Sequence, residues 1–315
     1  MALTIDSIRA ARARISAYTA RTPLTELVNL NPILGCRVFV KEENRQYTGA
    51  YKLRGAFNVA LSLSPAELER GLVAASSGNH GRALAYAAKT LGTKALIVIP
   101  ETAPKAKIEG IRALGAEVVL CPVSERFAVA EKYAAERNAV LVPPFNDETV
   151  MAGQGTLGLE LIEQQPDIDT LVVPVSGGGL IGGVSTAVKA VAPQVKIYGA
   201  EPAVLPRYSV SLAAGKPVKV EQNKTVADAL VSAVPGSVCF PYVRDNTDGM
   251  ADVTEENILR AWRLLLLEGK ILAEPSSCIG IGAVLQGAIP VSPGQKVCFV
   301  LSGGNIGPDQ VKNLL

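Results

Sequence analysis

Leu91-Gly92-Thr93-Lys94-Ala95-Leu96-Ile97-Val98-Ile99-Pro100 and Leu114-Gly115-Ala116-Glu117-Val118-Val119-Leu120-Cys121-Pro122 carry the same phrase twice: a helix end, Leu-Gly, an apolar strand, a proline. Glycine accepts the left-handed conformation just past a helix, which explains its place in both copies. Before the first copy, Asn79–Leu91 spaces Leu84, Ala87, Ala88 and Leu91 along one helical face. Between the copies, Lys105–Leu114 does the same with Ile108, Ile111 and Leu114. Strands are expected at Leu72–Ala75, Ala95–Ile99 and Glu117–Leu120. Short apolar strands alternating with amphipathic helices form βαβ crossovers on a parallel sheet. A third helix over Ser124–Arg137 and a strand over Val140–Val142 complete a small open α/β unit.

The second half repeats this style. Strands are expected at Leu171–Val175, Lys196–Ala200 and Val297–Leu301, and helices at Leu180–Val191, Val253–Gly269 and Ser277–Gly287. The long helix bears Ile258, Ala261, Trp262 and Leu265. Pro202–Gly249 is polar, contains Pro and Gly, and reads as including loops over one end of the sheet. The expected fold class is therefore α/β, with two open, mostly parallel, doubly wound sheets. A length of 315 residues and 48% hydrophobic content allow a large core and about two domains. The 29 glycines and the low aromatic content of 5% suit close helix-on-sheet packing.

Charge excludes some partners. Lys+Arg number 31 against 29 Asp+Glu, with no basic run, so nucleic acid is not an expected partner. No apolar run approaches the ~18 residues needed to span a bilayer, so a membrane is not expected either. The N-terminus lacks a continuous apolar leader, and Asp6-Ser7 reads as a helix N-cap. The five cysteines form no CxxC pair, and Cys121, Cys239 and Cys298 sit in strand-like runs. Buried free thiols in a cytoplasmic protein are the reading.

The chemistry begins at Ser176-Gly177-Gly178-Gly179-Leu180, between a strand and a helix. Three bare residues let backbone approach a ligand, and amide groups at a helix start favour an anion such as phosphate. A tight strand–helix turn with no ligand is the alternative at this point. Lys52 is flanked by Tyr51 and Leu53 and bracketed by Gly49 and Gly55. An apolar setting lowers a lysine pKa, as a Schiff-base amine requires. Ser76-Ser77-Gly78-Asn79-His80-Gly81 follows a strand, where open α/β sheets bind ligands; it is also a good helix cap. His80 is the only histidine, which excludes multi-histidine metal sites, and no metal is expected. It reads equally as a catalytic group or as a partner in local hydrogen bonds. Arg126 is either an exposed helix-start residue or a group that could bind a second substrate carboxylate.

Together these motifs resemble the fold-type II, tryptophan-synthase-β-like enzymes that use pyridoxal phosphate (PLP), specifically the serine/threonine dehydratase and serine racemase group. The likeness runs through Lys52, SSGNHG at 76–81, TAPKAK at 102–107, AGQGT at 152–156, SGGGL at 176–180, AEP at 200–202, AEPS at 273–276 and LSGGN at 301–305. It implies that Lys52 holds the cofactor and moves protons on one face, with Ser77 on the other. It implies that Asn79 meets the cofactor's ring oxygen, that Gly177, Gly178, Gly179 and Leu180 cradle its phosphate, and that Ser302 faces the pyridine nitrogen. Ser76, Ser77, Asn79 and His80 would receive the substrate carboxylate.

The resemblance further implies a small domain, 63–148, inserted in a large one, 1–62 and 149–315, with the cofactor in the cleft between them, and a homodimer. The implied reaction is elimination of water from a small β-hydroxy amino acid of the threonine or serine type, giving a 2-oxo acid and ammonia. Racemisation of serine or aspartate is the alternative, as is dehydration of 3-hydroxyaspartate if Arg126 binds its second carboxylate. Two departures from the pattern stand out: Ala50 replaces a serine before the lysine, and Arg207 replaces an acidic residue six positions after Glu201, where the racemase-like pattern holds a divalent cation. A guanidinium there leads to the expectation of weak or absent metal activation.

Overall fold

The computed structural model describes residues 2–76, 78–103 and 105–315, without the side chain of Ala106. Among the described residues, ten strands make two sheets. They are β1 (Leu24–Glu26), β2 (Arg37–Glu42), β3 (Leu72–Ala75), β4 (Ala95–Pro100), β5 (Glu117–Cys121), β6 (Val140–Leu141), β7 (Thr170–Pro174), β8 (Lys196–Pro202), β9 (Gly249–Val253) and β10 (Lys296–Leu301). The smaller sheet runs β5-β4-β3-β6 and is wholly parallel. The larger runs β1-β2-β10-β7-β8-β9, parallel except for β1 against β2. Two open, mostly parallel sheets, as read from the sequence, are what the chain forms.

The apolar runs explain the layering. Every residue of β4 and β7 is buried, as expected where helices cover both faces of a parallel sheet. Gly92 closes the helix Asn79–Leu91 with φ +68°, so the residue that punctuates the repeat is there for its left-handed backbone.

The strand orders decide where ligands can sit. From β3 the chain moves one way to β4 and β5, then returns to place β6 on the other flank of β3. From β7 it moves one way to β8 and β9, then returns to place β10 on the other flank of β7. Crevices open at such reversals, outside the carboxyl ends of the strands. The loops that leave β3, β6, β7 and β10 there are those of Ser76, Pro144, Gly177 and Ser302.

Several details differ from the sequence reading. Cys239 does not lie in a strand; it opens the helix Cys239–Asn246, whose Phe240 N–H bonds back to the Gly236 carbonyl. Pro241 falls in that helix's first turn, where no donor is needed, and tertiary packing overrides the β-prone composition. The long helix spans Glu255–Leu267, because Thr254 caps it and Val253 ends β9. Pro202–Gly249 includes loops, as read, and also holds the helices Arg207–Ala214 and Cys239–Asn246. The first helix is capped by Thr4 rather than Asp6-Ser7, with Ser7 answering from the third helical position. No helix among the described residues is long and apolar enough to cross a membrane. All five cysteines are buried and unpaired.

Candidate active site

The carboxyl end of β10 and the loop before Lys52 form one unit. Tyr51 N–H donates to the Ser302 carbonyl at 3.0 Å, and Gly304 N–H to the Gly49 carbonyl at 2.8 Å. Gly49 has φ +74°, and a Cβ there would fall 2.5 Å from Asn305 Oδ1. Lys52 is thereby delivered as the first residue of the helix Lys52–Ser62, beside the reversal of the large sheet. Its Nζ lies over the Tyr51 ring, 5.1 Å from the centroid, and donates to the Pro144 carbonyl. Burial pushes the ammonium down to about 8.

That value carries a prediction. The nucleophilic free base appears as pH rises through about 8, more than two units below the 10.5 of an ordinary lysine. The rate at which cofactor-free protein binds PLP covalently, followed by stopped-flow absorbance, is expected to be half-maximal near pH 8. A rise appearing only above pH 10 would contradict it.

The same helix is anchored by a buried charge network. The Arg54 guanidinium grips Glu43 with two contacts of 2.8 Å and reaches Glu160 at 2.6 Å. Lys41 meets Glu160 at 3.0 Å. Two cations and two carboxylates balance, with Thr22 and Thr156 also bonded.

The glycine loop is built for close approach. Gly178 has φ +100°, and a Cβ there would lie 1.8 Å from Tyr208 Oη. Cβ atoms at Gly177 and Gly179 would strike Phe145 at 2.4 and 2.8 Å. The carbonyl of Gly177 accepts from Tyr208 Oη at 3.1 Å and from Gly236 N–H at 2.9 Å. Ser176 Oγ accepts from Ser232 N–H at 3.2 Å. The N–H groups opening the helix Gly179–Val191 have no intrahelical acceptor, so this end of the helix offers a cradle of donors that suits an anion.

Ser302 is buried, with its hydroxyl 3.1 Å from that of Ser277. Ser277 Oγ donates to the Gly303 carbonyl at 2.7 Å, so two neutral hydroxyls stand at this strand end. Asn79 donates to Glu274 at 3.0 and 3.2 Å and accepts from Asn305 Nδ2 at 2.7 Å. Ser76 is half-buried and bonds the Gly78 N–H. His80 is buried, its Nε2 donating to the Val142 carbonyl at 2.9 Å. Burial, with Lys52 nearby, pushes it down to about 3, so the imidazole is neutral. Ser77 lies outside the described residues.

Arg126 does not join this group. Its guanidinium bonds the Val123 carbonyl at 2.7 Å and stacks on Phe127 at 4.5 Å, the arrangement of a helix-start residue. Residues that sequence reasoning did not single out are present instead. Glu274 is buried beside Asn79, and burial, then the neighbouring charge of Asp228, raise it to about 7. Its signal was the AEPS run, quoted only as part of the resemblance. The strap Pro143–Asn146 holds Lys52 through one carbonyl and packs Phe145 on the cradle. A cavity of about 470 Å³ adjoins this strap, with Phe127, Leu141 and Val234 also in its wall.

A half-buried amine, a glycine loop at a helix start and a neutral hydroxyl pair are thus joined to one another through Tyr51, Pro144 and Phe145. A family model described as pyridoxal-phosphate dependent enzyme matches residues 15–303. The chain belongs to this family. Its cofactor is pyridoxal phosphate. Among members of the pyridoxal-phosphate dependent enzyme family, the L-threonine ammonia-lyase of Thermotoga maritima is 40% identical over 99% of this chain and 78% of its own length. The human serine racemase is 43% identical over 90% and 86%. The solved structure of maize serine racemase superposes with a TM-score of 0.94 at 38% identity, over 99% of this chain and 97% of that one.

Proposed function

We propose that this enzyme removes water from a small β-hydroxy amino acid, of the threonine or serine type, and that the enamine released takes up a water from solvent to give a 2-oxo acid and ammonia. Lys52 is the residue that would carry PLP. The amides of Gly177, Gly178, Gly179 and Leu180 would hold its phosphate, Ser302 would face its ring nitrogen, and Asn79 its ring oxygen. The fit is chemical. A dianion suits a helix start with no Cβ in the way, and an aldehyde suits an amine brought down to about 8. When bound, PLP draws electrons from the substrate α-carbon.

The protein's own groups supply the rest. The Lys52 amine, oriented by the Pro144 carbonyl, takes the α-proton. Ser76, Ser77, Asn79 and His80 would receive the carboxylate; the neutral His80 adds no charge that would compete with Lys52. The observation that carries the reading is the Ser302–Ser277 pair: a hydroxyl bonded to a hydroxyl would set no negative charge beside the ring nitrogen. Charge developed at the α-carbon is then drawn less deeply into the ring, which favours prompt loss of a β-hydroxyl over transamination. Segments 63–148 and 1–62 with 149–315 would act as domains that close on the substrate and exclude water. A cytoplasmic homodimer is part of the same proposal.

Racemisation is the second reading, favoured by the similarity to human serine racemase and by a serine at 77 that could act from the opposite face. Incubation with L-serine, with 2-oxo acid and D-serine quantified in one sample, decides between them. Oxo acid is expected in at least about tenfold excess, a barrier difference of roughly 1.4 kcal/mol. An excess of D-serine would overturn the proposal.

A further inference from the structure

The racemase-like pattern places a divalent cation between Glu201 and the residue six positions on, and the residues present do not fit one. That residue is Arg207, a donor-only side chain that cannot ligate a metal. Arg207 and Glu201 are both completely buried. The guanidinium bonds two backbone carbonyls, Val175 at 3.0 Å through Nη1 and Leu230 at 2.9 Å through Nη2. Its Nε lies 3.8 Å from Glu201 Oε2, inside ion-pair range but without a hydrogen bond. Glu201 takes its hydrogen bonds from Tyr208 N–H at 2.9 and 3.0 Å and from Ser209 N–H at 2.8 Å. Two carbonyls and one carboxylate thus surround one fixed positive charge, a set of oxygens that otherwise suits a hard cation.

The position of this charge matters because of what it ties. Val175 is the residue before Ser176, where the cradle begins. Leu230 lies two residues before Ser232, whose N–H bonds Ser176 Oγ. Tyr208, next to Arg207, donates its hydroxyl to the Gly177 carbonyl at 3.1 Å. We propose that the Arg207 guanidinium is the resident cation of the cradle: it fills the place of a divalent ion and positions the Ser176–Leu180 loop for the cofactor phosphate. The inference rests on the reading that this loop takes that phosphate. Arg207 is a positioning residue and touches no reacting atom.

The test measures PLP equilibrium binding and the thermal unfolding midpoint of the full chain, for wild type with and without EDTA or added Mg²⁺, and for Arg207→Ala and Arg207→Lys. Wild type is expected to bind PLP equally in all three solutions. Arg207→Ala is expected to bind about tenfold or more weakly, with partial recovery in sub-denaturing guanidinium chloride but not in sodium chloride. Arg207→Lys keeps the charge beside Glu201 and so keeps the fold if alanine does not. It lacks the fork that reaches both carbonyls, and is expected to bind PLP several-fold more weakly with little change in midpoint. Loss of PLP from wild type in EDTA, or wild-type affinity in either variant, would overturn the proposal. A wild-type protein that binds no PLP in any solution would instead overturn the reading beneath it.

Discussion

Lys52→Ala is expected to lose at least about a thousandfold in kcat, together with the visible absorbance of lysine-bound cofactor, while keeping its fold. The size follows from the lack of a substitute. The amine is held by the Pro144 carbonyl and lowered to about 8 by burial. Lys107, another lysine of the family-like motifs, is paired with Asp228 at 3.0 Å. Retention of the fold follows from the partner: truncation frees one carbonyl and leaves no buried carboxylate without its cation. The cradle is untouched, so PLP is expected to bind still, without the covalent link, and added small amines should restore part of the activity. Assay of kcat, a visible scan and the unfolding midpoint check this; a variant with wild-type kcat would remove Lys52 from the mechanism.

Arg54→Met is expected to cost roughly 3–5 kcal/mol of stability, because it removes the cation from buried carboxylates. Glu43 is fully buried and Glu160 nearly so, and both bond Arg54. Lys41 remains for Glu160 at 3.0 Å, so Glu43 bears most of the loss. For a chain of this size the unfolding midpoint would fall by roughly 5–15 °C. Arg54 sits two residues beyond Lys52 on one helix, so the variant should also bind cofactor more weakly. A double variant, Arg54→Met with Glu43→Gln, should recover part of the stability by removing the unpaired charge. Calorimetry that found Arg54→Met as stable as wild type would show that the network contributes nothing net.

Much of this was legible in the sequence, for physical reasons. The Leu-Gly–strand–Pro repeat announced parallel βαβ units because glycine's left-handed backbone and a fully buried strand leave unambiguous marks. Gly177–Gly179 stood out because no other residue fits where a Cβ would meet Tyr208 or Phe145. Other features leave weaker marks. The strand β2 ends in Lys41-Glu42, ionised residues that read as surface until their distant partners are known. Pro144 acts through a backbone carbonyl, which has no side-chain signature. Glu274 looks like a helix cap, and its raised pKa depends on burial that folding alone creates. The helix at Cys239 is written in residues that favour strands, and packing decides it.

The most direct measurement is an absorbance scan of the purified protein, repeated on adding L-threonine, L-serine and L-threo-3-hydroxyaspartate, with 2-oxo acid assayed in each sample. A visible band that changes with one of the first two, accompanied by oxo-acid release, is the predicted result. A protein with no visible band after incubation with PLP, or one whose band shifts without releasing oxo acid, would contradict the assignment of Lys52 and its neighbours to β-elimination.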